Sequence, residues 1–145
     1  MTDRELIERA KEARTRAYAP YSGFSVGCAL LSVDGRVFEG CNVENASYPA
    51  TTCAERVAFG SAAASGVTSF QKIAIVGGKH QYDLTGECMP CGICRQIMRE
   101  FCDDDFQILT TEGEEIQTYT LGDLLPHSFR KTNLTEATDA KDHIG

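Results

Sequence analysis

The sequence has no long apolar run and few basic residues. No stretch of its 145 residues approaches the roughly 20 apolar positions that a membrane helix requires. It carries 14 Lys and Arg against 21 Asp and Glu, which gives a net charge of −7 with His neutral. Because Lys and Arg clusters drive binding to phosphate backbones, we expect neither a nucleic acid nor an anionic membrane as partner. A small neutral ligand fits this charge.

The N-terminal residues are charged rather than apolar. Met1-Thr2-Asp3-Arg4-Glu5 has no apolar stretch of the kind found in a secretory signal peptide. We therefore expect a cytoplasmic protein whose thiols stay reduced. The length is that of one ordinary domain, and a chain of about 150 residues buries roughly 68–70% of its unfolded surface. Such a chain needs no disulfide for stability.

Seven cysteines are the unusual feature of the composition. The number is odd, so disulfides cannot use all of them. In a reducing compartment, cysteines pack as small hydrophobic residues, bind metals or act in catalysis. Three of them fall within the seven residues from Cys88 to Cys94. Those expected in the core, from their predicted strand or helix segments, are Cys28, Cys41 and Cys102.

Apolar periodicity and turn residues predict the element order α-β-β-α-β-α-β-β, followed by a short helix, in one domain. The first helix is predicted between a capping box at Thr2–Glu5 and Pro20. Further helices are predicted over 52–65, 92–101 and 121–125, and strands over 26–30, 37–41, 72–76, 106–109 and 115–119. Helices that cover a mixed sheet are the natural packing. We expect a single domain over residues 1–130 and a polar surface tail over 131–145.

Two cysteine motifs stand near the starts of predicted helices. They are Cys53-Ala54-Glu55-Arg56 and Pro90-Cys91-Gly92-Ile93-Cys94-Arg95. Cys91 and Cys94 are three residues apart, so they share a helix face and can supply two thiolates to one zinc ion. Cys53 would be the third ligand. Three protein ligands leave the fourth tetrahedral position to water, as in catalytic rather than structural zinc sites.

Two other side chains of these motifs have predicted roles beside the metal. Three thiolates would leave the zinc site with a net charge of −1, which helix N-termini can offset. We hypothesise that Arg56 or Arg95, or both, also donate to a ligand thiolate. Glu55 would shuttle protons to and from the activated water. This role requires the metal to lie beyond the helix end, because residues i and i+2 of a helix do not face the same way.

Other interpretations of the same residues stay open. Thr52-x-x-Glu55 also matches a capping box. Cys91 and Cys94 alone would suit a thioredoxin-like redox pair, although that pair normally follows the first strand. Cys88, Cys91 and Cys94 together would suit an iron–sulfur cluster or a structural zinc site, the leading alternative chemistry.

The motifs resemble those of the zinc deaminases, whose signature is H-x-E followed by P-C-x-x-C, with a three-cysteine version. Cys53-x-Glu55 and Pro90-Cys91-x-x-Cys94 match that version. Further segments are similar to the small homotetrameric cytidine deaminases: residues 21–27 (YSGFSVG), 42–48 (NVENASY), 52–56 (TCAER), 90–96 (PCGICRQ) and 124–126 (LLP). The resemblance covers roughly residues 5–130.

The resemblance implies an α/β fold, a three-layer α/β/α sandwich with a mixed five-stranded sheet. It implies zinc-dependent hydrolysis of cytidine and deoxycytidine to uridine and deoxyuridine, with release of ammonia, in pyrimidine salvage. Cys53, Cys91 and Cys94 would hold one Zn²⁺ per subunit. Hydroxide on the zinc would attack C4 of the base. Glu55 would protonate N3 and then pass a proton to the leaving amine.

The resemblance also implies roles in substrate binding. The Ala54 backbone N–H would contact the base carbonyl, and Phe24 would stack on the base. Asn42 and Glu44 would bind the ribose hydroxyls. The remaining lining residues, in a pocket that neighbouring subunits complete, would be Ala46, Tyr48 and Phe129. The active sites would thus lie at the interfaces of a homotetramer. Without the resemblance, Asn42 and Glu44 are ordinary loop residues, and Phe24 is a core residue.

One segment departs from the family pattern. The family often has Ser or Thr before the Pro-Cys motif, whereas Glu87-Cys88-Met89 precedes Pro90 here. Cys88 would exchange with Cys91 as a ligand or be oxidised, or, in the simpler interpretation, pack nearby. Blasticidin-type deaminases share the zinc motifs but should lack the 42–48 loop. Nucleotide and polynucleotide substrates are disfavoured, because the chain offers no basic cluster for phosphate.

Overall fold

The order of helices and strands agrees with the sequence prediction. The computed structural model describes residues 1–79, 84 and 86–134. Its helices are α1 (Asp3–Arg14), α2 (Ala54–Ala64), α3 (Gly92–Phe101) and α4 (Leu121–Leu124), with a short 3-10 helix at Tyr48–Ala50. Its strands are β1 (Phe24–Ser32), β2 (Val37–Cys41), β3 (Phe70–Lys79), β4 (Gln107–Glu112) and β5 (Glu115–Thr120). None of the helices in these ranges is long and apolar enough to cross a membrane.

The five strands form one mixed sheet in the order β2-β1-β3-β4-β5. β3 and β4 run parallel, while β1 pairs antiparallel with both β2 and β3, and β4 pairs antiparallel with β5. β3 extends beyond the predicted 72–76 because β1 pairs with it from Phe70 to Lys79. Cross-strand pairing therefore continues past the apolar residues that mark this strand in the sequence.

Alternate residues of β1 divide the core between the two faces of the sheet. Cys28 and Leu30 pack with the buried residues of α2 and α3. Ala29 and Leu31 pack on the other face, against α1. This arrangement confirms the three-layer α/β/α sandwich and places the N-termini of α2 and α3 on the same side of the sheet.

Gly40 in β2 lets the first turn of α2 lie against the sheet. A Cβ atom at this position would lie 2.2 Å from the carbonyl oxygen of Ala54 and 2.9 Å from the backbone nitrogen of Ala58. Neither distance is possible without displacing backbone, so only glycine fits here. This contact sets the position of the α2 N-terminus, which carries Cys53 and Glu55.

Gly40→Ala is therefore expected to destabilise the fold by about 1–3 kcal/mol, the usual cost of overpacking. Gly60→Ala is the matched control, because Gly60 lies on the exposed side of α2, where an added Cβ atom would meet no other atom within 4 Å. It should instead stabilise the helix by up to about 1 kcal/mol. Urea unfolding of both variants measures the difference, and equal unfolding free energies would contradict the role given to Gly40.

Candidate metal centre and active site

Three cysteine thiols meet where α2 and α3 begin. The Sγ atoms of Cys53, Cys91 and Cys94 all lie within 4.8 Å of one another. Cys53 is the N-cap of α2 and Cys91 the N-cap of α3, both with extended backbone, and Cys94 is buried in the first turn of α3. The N-cap positions carry two of the thiols beyond the helix ends, where they converge on one point.

Backbone N–H groups supply positive charge to this cluster. At the start of α2, the side chain of the N-cap residue Cys53 makes no capping hydrogen bond. Burial acts to raise the pKa of the Cys91 thiol, but hydrogen bonds from the backbone N–H groups of Cys94 and Ile93 prevail and lower that pKa. Burial raises the pKa of Cys53 and of Cys94. The N-terminus of α3 thus favours a thiolate at Cys91, as expected for an anion at a helix start.

The donor set fits a zinc ion. Zinc takes thiolates at about 2.3 Å in a tetrahedron, which places the sulfurs roughly 4 Å apart. Within 1–79, 84 and 86–134, no other His, Cys, Asp or Glu belongs to the group. Three ligands leave one position open, as a catalytic site requires. The alternative cluster of Cys88, Cys91 and Cys94 is wrong, because Cys53 and not Cys88 completes the group.

Glu55 is the acidic side chain next to the three thiols. It is only 4% exposed and lies in the first turn of α2. Burial raises the pKa of its carboxyl, partly opposed by hydrogen bonds from its own backbone N–H and from the Cys94 thiol. The capping-box alternative is wrong, because the N-cap of α2 is Cys53 rather than Thr52. A raised pKa makes this carboxylate a stronger proton acceptor than an ordinary glutamate.

The site contains two adjoining cavities. The first, of about 230 Å³, is lined by the three metal-binding cysteines and Glu55 together with Phe24, Val26, Asn42, Thr51, Ala54, Cys88 and Met89. The second, of about 370 Å³, is lined by Tyr21, Ser22, Glu44, Tyr48 and Thr51. We name them the inner and outer cavity; Thr51 borders both. Five of the seven residues predicted to bind substrate line one or the other. Ala46 and Phe129 line neither and are exposed.

Asn42 and Glu44 hold the backbone around the cavities. The Asn42 amide accepts from the Val26 N–H at 2.8 Å and donates to the Phe24 carbonyl at 2.9 Å. Glu44 accepts hydrogen bonds from the hydroxyl and N–H of Ser22 and from the N–H of Tyr21, and these bonds lower the pKa of its carboxyl. Their predicted contacts with ribose stay predictions.

The two arginines next to the motifs differ in their contacts. Arg95 donates to the carbonyl oxygens of Pro90 at 2.9 Å and Leu124 at 2.7 Å, so it braces the chain before Cys91. This corrects the hypothesis that Arg95 donates to a thiolate. Arg56 is exposed, and no hydrogen bond or ion pair joins it to a thiol among the described residues. Its role beside the metal stays a prediction.

The remaining cysteines pack largely as expected. Cys28 and Cys102 are buried in the core, whereas Cys41 is only partly buried. Cys88 lines the inner cavity, and burial raises the pKa of its thiol to about 12. The sequence did not predict Thr51 as a lining residue, although Thr51 directly precedes the 52–56 motif that resembles the family. Met89 was likewise missed as a lining residue.

Three converging thiols at two helix N-termini, beside a buried glutamate, define a zinc deaminase centre. Residues 1–110 match the family model described as the cytidine and deoxycytidylate deaminase zinc-binding region. The chain belongs to the cytidine deaminase family.

Individual relatives agree with this assignment over nearly the whole chain. A cytidine deaminase of Sporosarcina psychrophila is 44% identical, over 93% of this chain and 96% of the relative. One of Halalkalibacterium halodurans is 43% identical, over 90% and 96%. The crystal structure of cytidine deaminase from Burkholderia pseudomallei superposes with a TM-score of 0.81 at 48% identity, covering 89% of this chain and all of that one. The family resemblance and the fold class are thereby confirmed.

Proposed function

We propose that the chain catalyses the zinc-dependent hydrolytic deamination of cytidine and deoxycytidine to uridine and deoxyuridine, releasing ammonia, in pyrimidine salvage. The observation that carries this proposal is the convergence of three thiols and a buried glutamate on one cavity. Cys53, Cys91 and Cys94 hold one zinc ion per subunit. When bound, zinc supplies a nucleophile by lowering the pKa of a water molecule towards neutrality.

Glu55 carries the protons of the reaction. Its carboxylate takes one proton from the water whose oxygen bonds to C4 and gives it to N3 of the base. It then takes the second proton from that oxygen and delivers it to the amine, so that the C4–N bond breaks, ammonia leaves and C4 becomes a carbonyl. The burial of Glu55 supports this role, because a raised pKa brings proton uptake closer to the working pH. The position of Cys53 as the N-cap of α2 supports it too. The metal then lies beyond the helix end, where side chains two residues apart can both reach it.

The inner cavity takes the base and the outer cavity takes the ribose. Phe24 stacks on the base, and the Ala54 N–H, free of an intrahelical partner at the start of α2, contacts the base carbonyl. Asn42 and Glu44 bind ribose hydroxyls with the hydrogen-bonding capacity that their backbone contacts leave over. A carboxylate offers about four acceptor sites and a primary amide two donors, more than these contacts use.

We also propose that the active form is a homotetramer whose active sites lie at subunit interfaces. Tyr48 is 71% exposed and Phe129 58% exposed, and large aromatic side chains are enriched in protein–protein interfaces. Ala46, two residues before Tyr48, is exposed as well. Neighbouring subunits would cover these residues and close the outer cavity.

The catalytic domain spans 1–130, and the proposed location is the cytoplasm. Of the predicted tail, residues 135–145 lie outside the described residues.

A substrate panel tests the proposal. The purified protein should convert cytidine and deoxycytidine, but deaminate cytidine 5′-monophosphate with a kcat/KM at least about tenfold lower. The described residues that line the two cavities include no Lys or Arg, and Glu44 would repel a phosphate. Chromatography of the products measures the rates. Equal turnover of the monophosphate, or turnover of blasticidin S alone, would contradict the proposed substrate class.

A further inference from the structure

Glu87 lies in the segment that departs from the family pattern, four residues before the ligand Cys91. Its Oε2 atom accepts a hydrogen bond from the Thr110 hydroxyl at 2.6 Å and another from the Tyr119 hydroxyl at 2.6 Å. Thr110 lies on β4 and is fully buried, and Tyr119 lies on β5. One carboxylate oxygen thus joins this segment to two adjacent strands.

Glu87 contacts β4 and β5 on the face of the sheet that carries the active site. Tyr119 pairs across the ladder with Ile108, whose side chain belongs to the core shared with α2 and α3. Thr110 is two residues from Ile108 on β4, so it faces the same side. The contact is therefore made on the active-site face of the sheet, where Glu87 is exposed and Thr110 is buried.

The residues that follow Glu87 form part of the inner cavity. Cys88 and Met89 both line it. Cys88 packs on the backbone of β3, where a Cβ atom on Gly77 would lie 2.6 Å from its sulfur. Further along, Arg95 holds Pro90. This wall of the cavity, Cys88 and Met89, therefore lies between two anchors, Glu87 and the brace on Pro90.

We propose that Glu87 is a positioning residue that fixes the Cys88–Met89 wall against the base of the substrate. The inference rests on the proposed function, since it assumes that the inner cavity takes the base. Because Arg95 holds Pro90 independently and Cys88 is not a metal ligand, loss of the Glu87 contact moves the wall and leaves the metal centre in place. The effect falls on substrate affinity and not on zinc content.

Glu87→Leu removes the acceptor with little change in size. It should raise KM for cytidine about tenfold, with kcat within about twofold and zinc content unchanged, because small displacements of positioning groups have large kinetic effects. Glu87→Gln is the conservative variant. Since both donors meet one oxygen, the amide oxygen can accept both hydrogen bonds, and KM should stay within about threefold of the wild-type value.

Tyr119→Phe tests the partner side of the contact. It should raise KM in the same direction, and adding it to Glu87→Leu should change KM little further, because both changes break the same contact. Glu39→Leu is the control for general destabilisation. Glu39 is paired with Arg9 and Arg16 and lies opposite Ala29, on the α1 face of the sheet. This variant should lose stability while keeping the wild-type KM.

The outcomes separate the two proposals. A wild-type protein that holds zinc but deaminates neither nucleoside would refute the proposed function. In that case the Cys88–Met89 wall is tested without using activity. Peptide mass spectrometry measures the rate at which a maleimide alkylates Cys88 in the zinc-loaded protein. Glu87→Leu should speed alkylation at Cys88, and Glu39→Leu should not. An unchanged KM and alkylation rate in Glu87→Leu, or a Gln variant as impaired as the Leu variant, would overturn the positioning role.

Discussion

Glu55→Gln is expected to lower kcat for cytidine by between about 10² and 10⁴, the range that general acid–base catalysis contributes. Gln has the size of Glu and can keep a hydrogen bond with the Cys94 thiol, but it cannot carry a proton. The Glu55 carboxyl is buried beside three thiols, so no solvent-exposed group can take over its proton transfer there. Steady-state rates of uridine formation, with zinc measured on the same sample, give the result.

Glu8→Gln is the control for this change. Glu8 lies on α1, on the opposite face of the sheet, and its carboxylate is exposed beside Lys11. The same substitution there should leave kcat unchanged. If Glu55→Gln kept kcat within tenfold of the wild-type value while holding zinc, Glu55 would not be the proton carrier. If it lost zinc, the side chain would be supporting the metal centre instead.

The second large effect concerns the metal ligands. Cys94→Ala is expected to weaken zinc binding by more than about 100-fold and to abolish deamination. Even outer contacts of a metal ligand are worth 10–100-fold in affinity, and Cys94 is a fully buried member of the thiol group. Only two thiols would then remain. Zinc competition with a chromogenic chelator measures the affinity, and circular dichroism checks the fold.

Cys41→Ala provides the comparison with a cysteine outside the group. Cys41 lies at the end of β2, is partly buried and does not belong to the thiol cluster. Its replacement should leave zinc affinity within about twofold of the wild-type value, because it removes no ligand. Wild-type zinc affinity in Cys94→Ala, or loss of zinc in Cys41→Ala, would refute the assignment of ligands.

Local sequence predicted the parts of the site that depend on short spacings. Cys91 and Cys94 are three residues apart on one helix, and α3 spans 92–101 as predicted. Glu55 stands two residues from Cys53. One turn of helix brings Cys91 and Cys94 together, and the short Cys53-x-Glu55 spacing keeps the second pair close at the start of α2, so periodicity and spacing suffice to find both pairs.

Features set by backbone geometry or by distant contacts could not be predicted in this way. The spacing of Thr52 and Glu55 suits a capping box, yet the helix starts one residue later, at a point fixed by the packing of α2 on Gly40. Arg95 reaches Leu124, 29 residues away. Glu87 meets its partners 23 and 32 residues along the chain. Only the folded sheet brings these groups together.

Titration of the metal-free protein with zinc tests most directly whether the three-thiol centre is the seat of catalysis. Zinc is added stepwise, and the rate of uridine formation from cytidine is followed at each step. With Cys53, Cys91 and Cys94 as the ligands of one ion, the rate should rise in proportion to zinc and level off at about one equivalent per chain. Full activity before any zinc is added, or zinc uptake with no rise in rate, would contradict that claim.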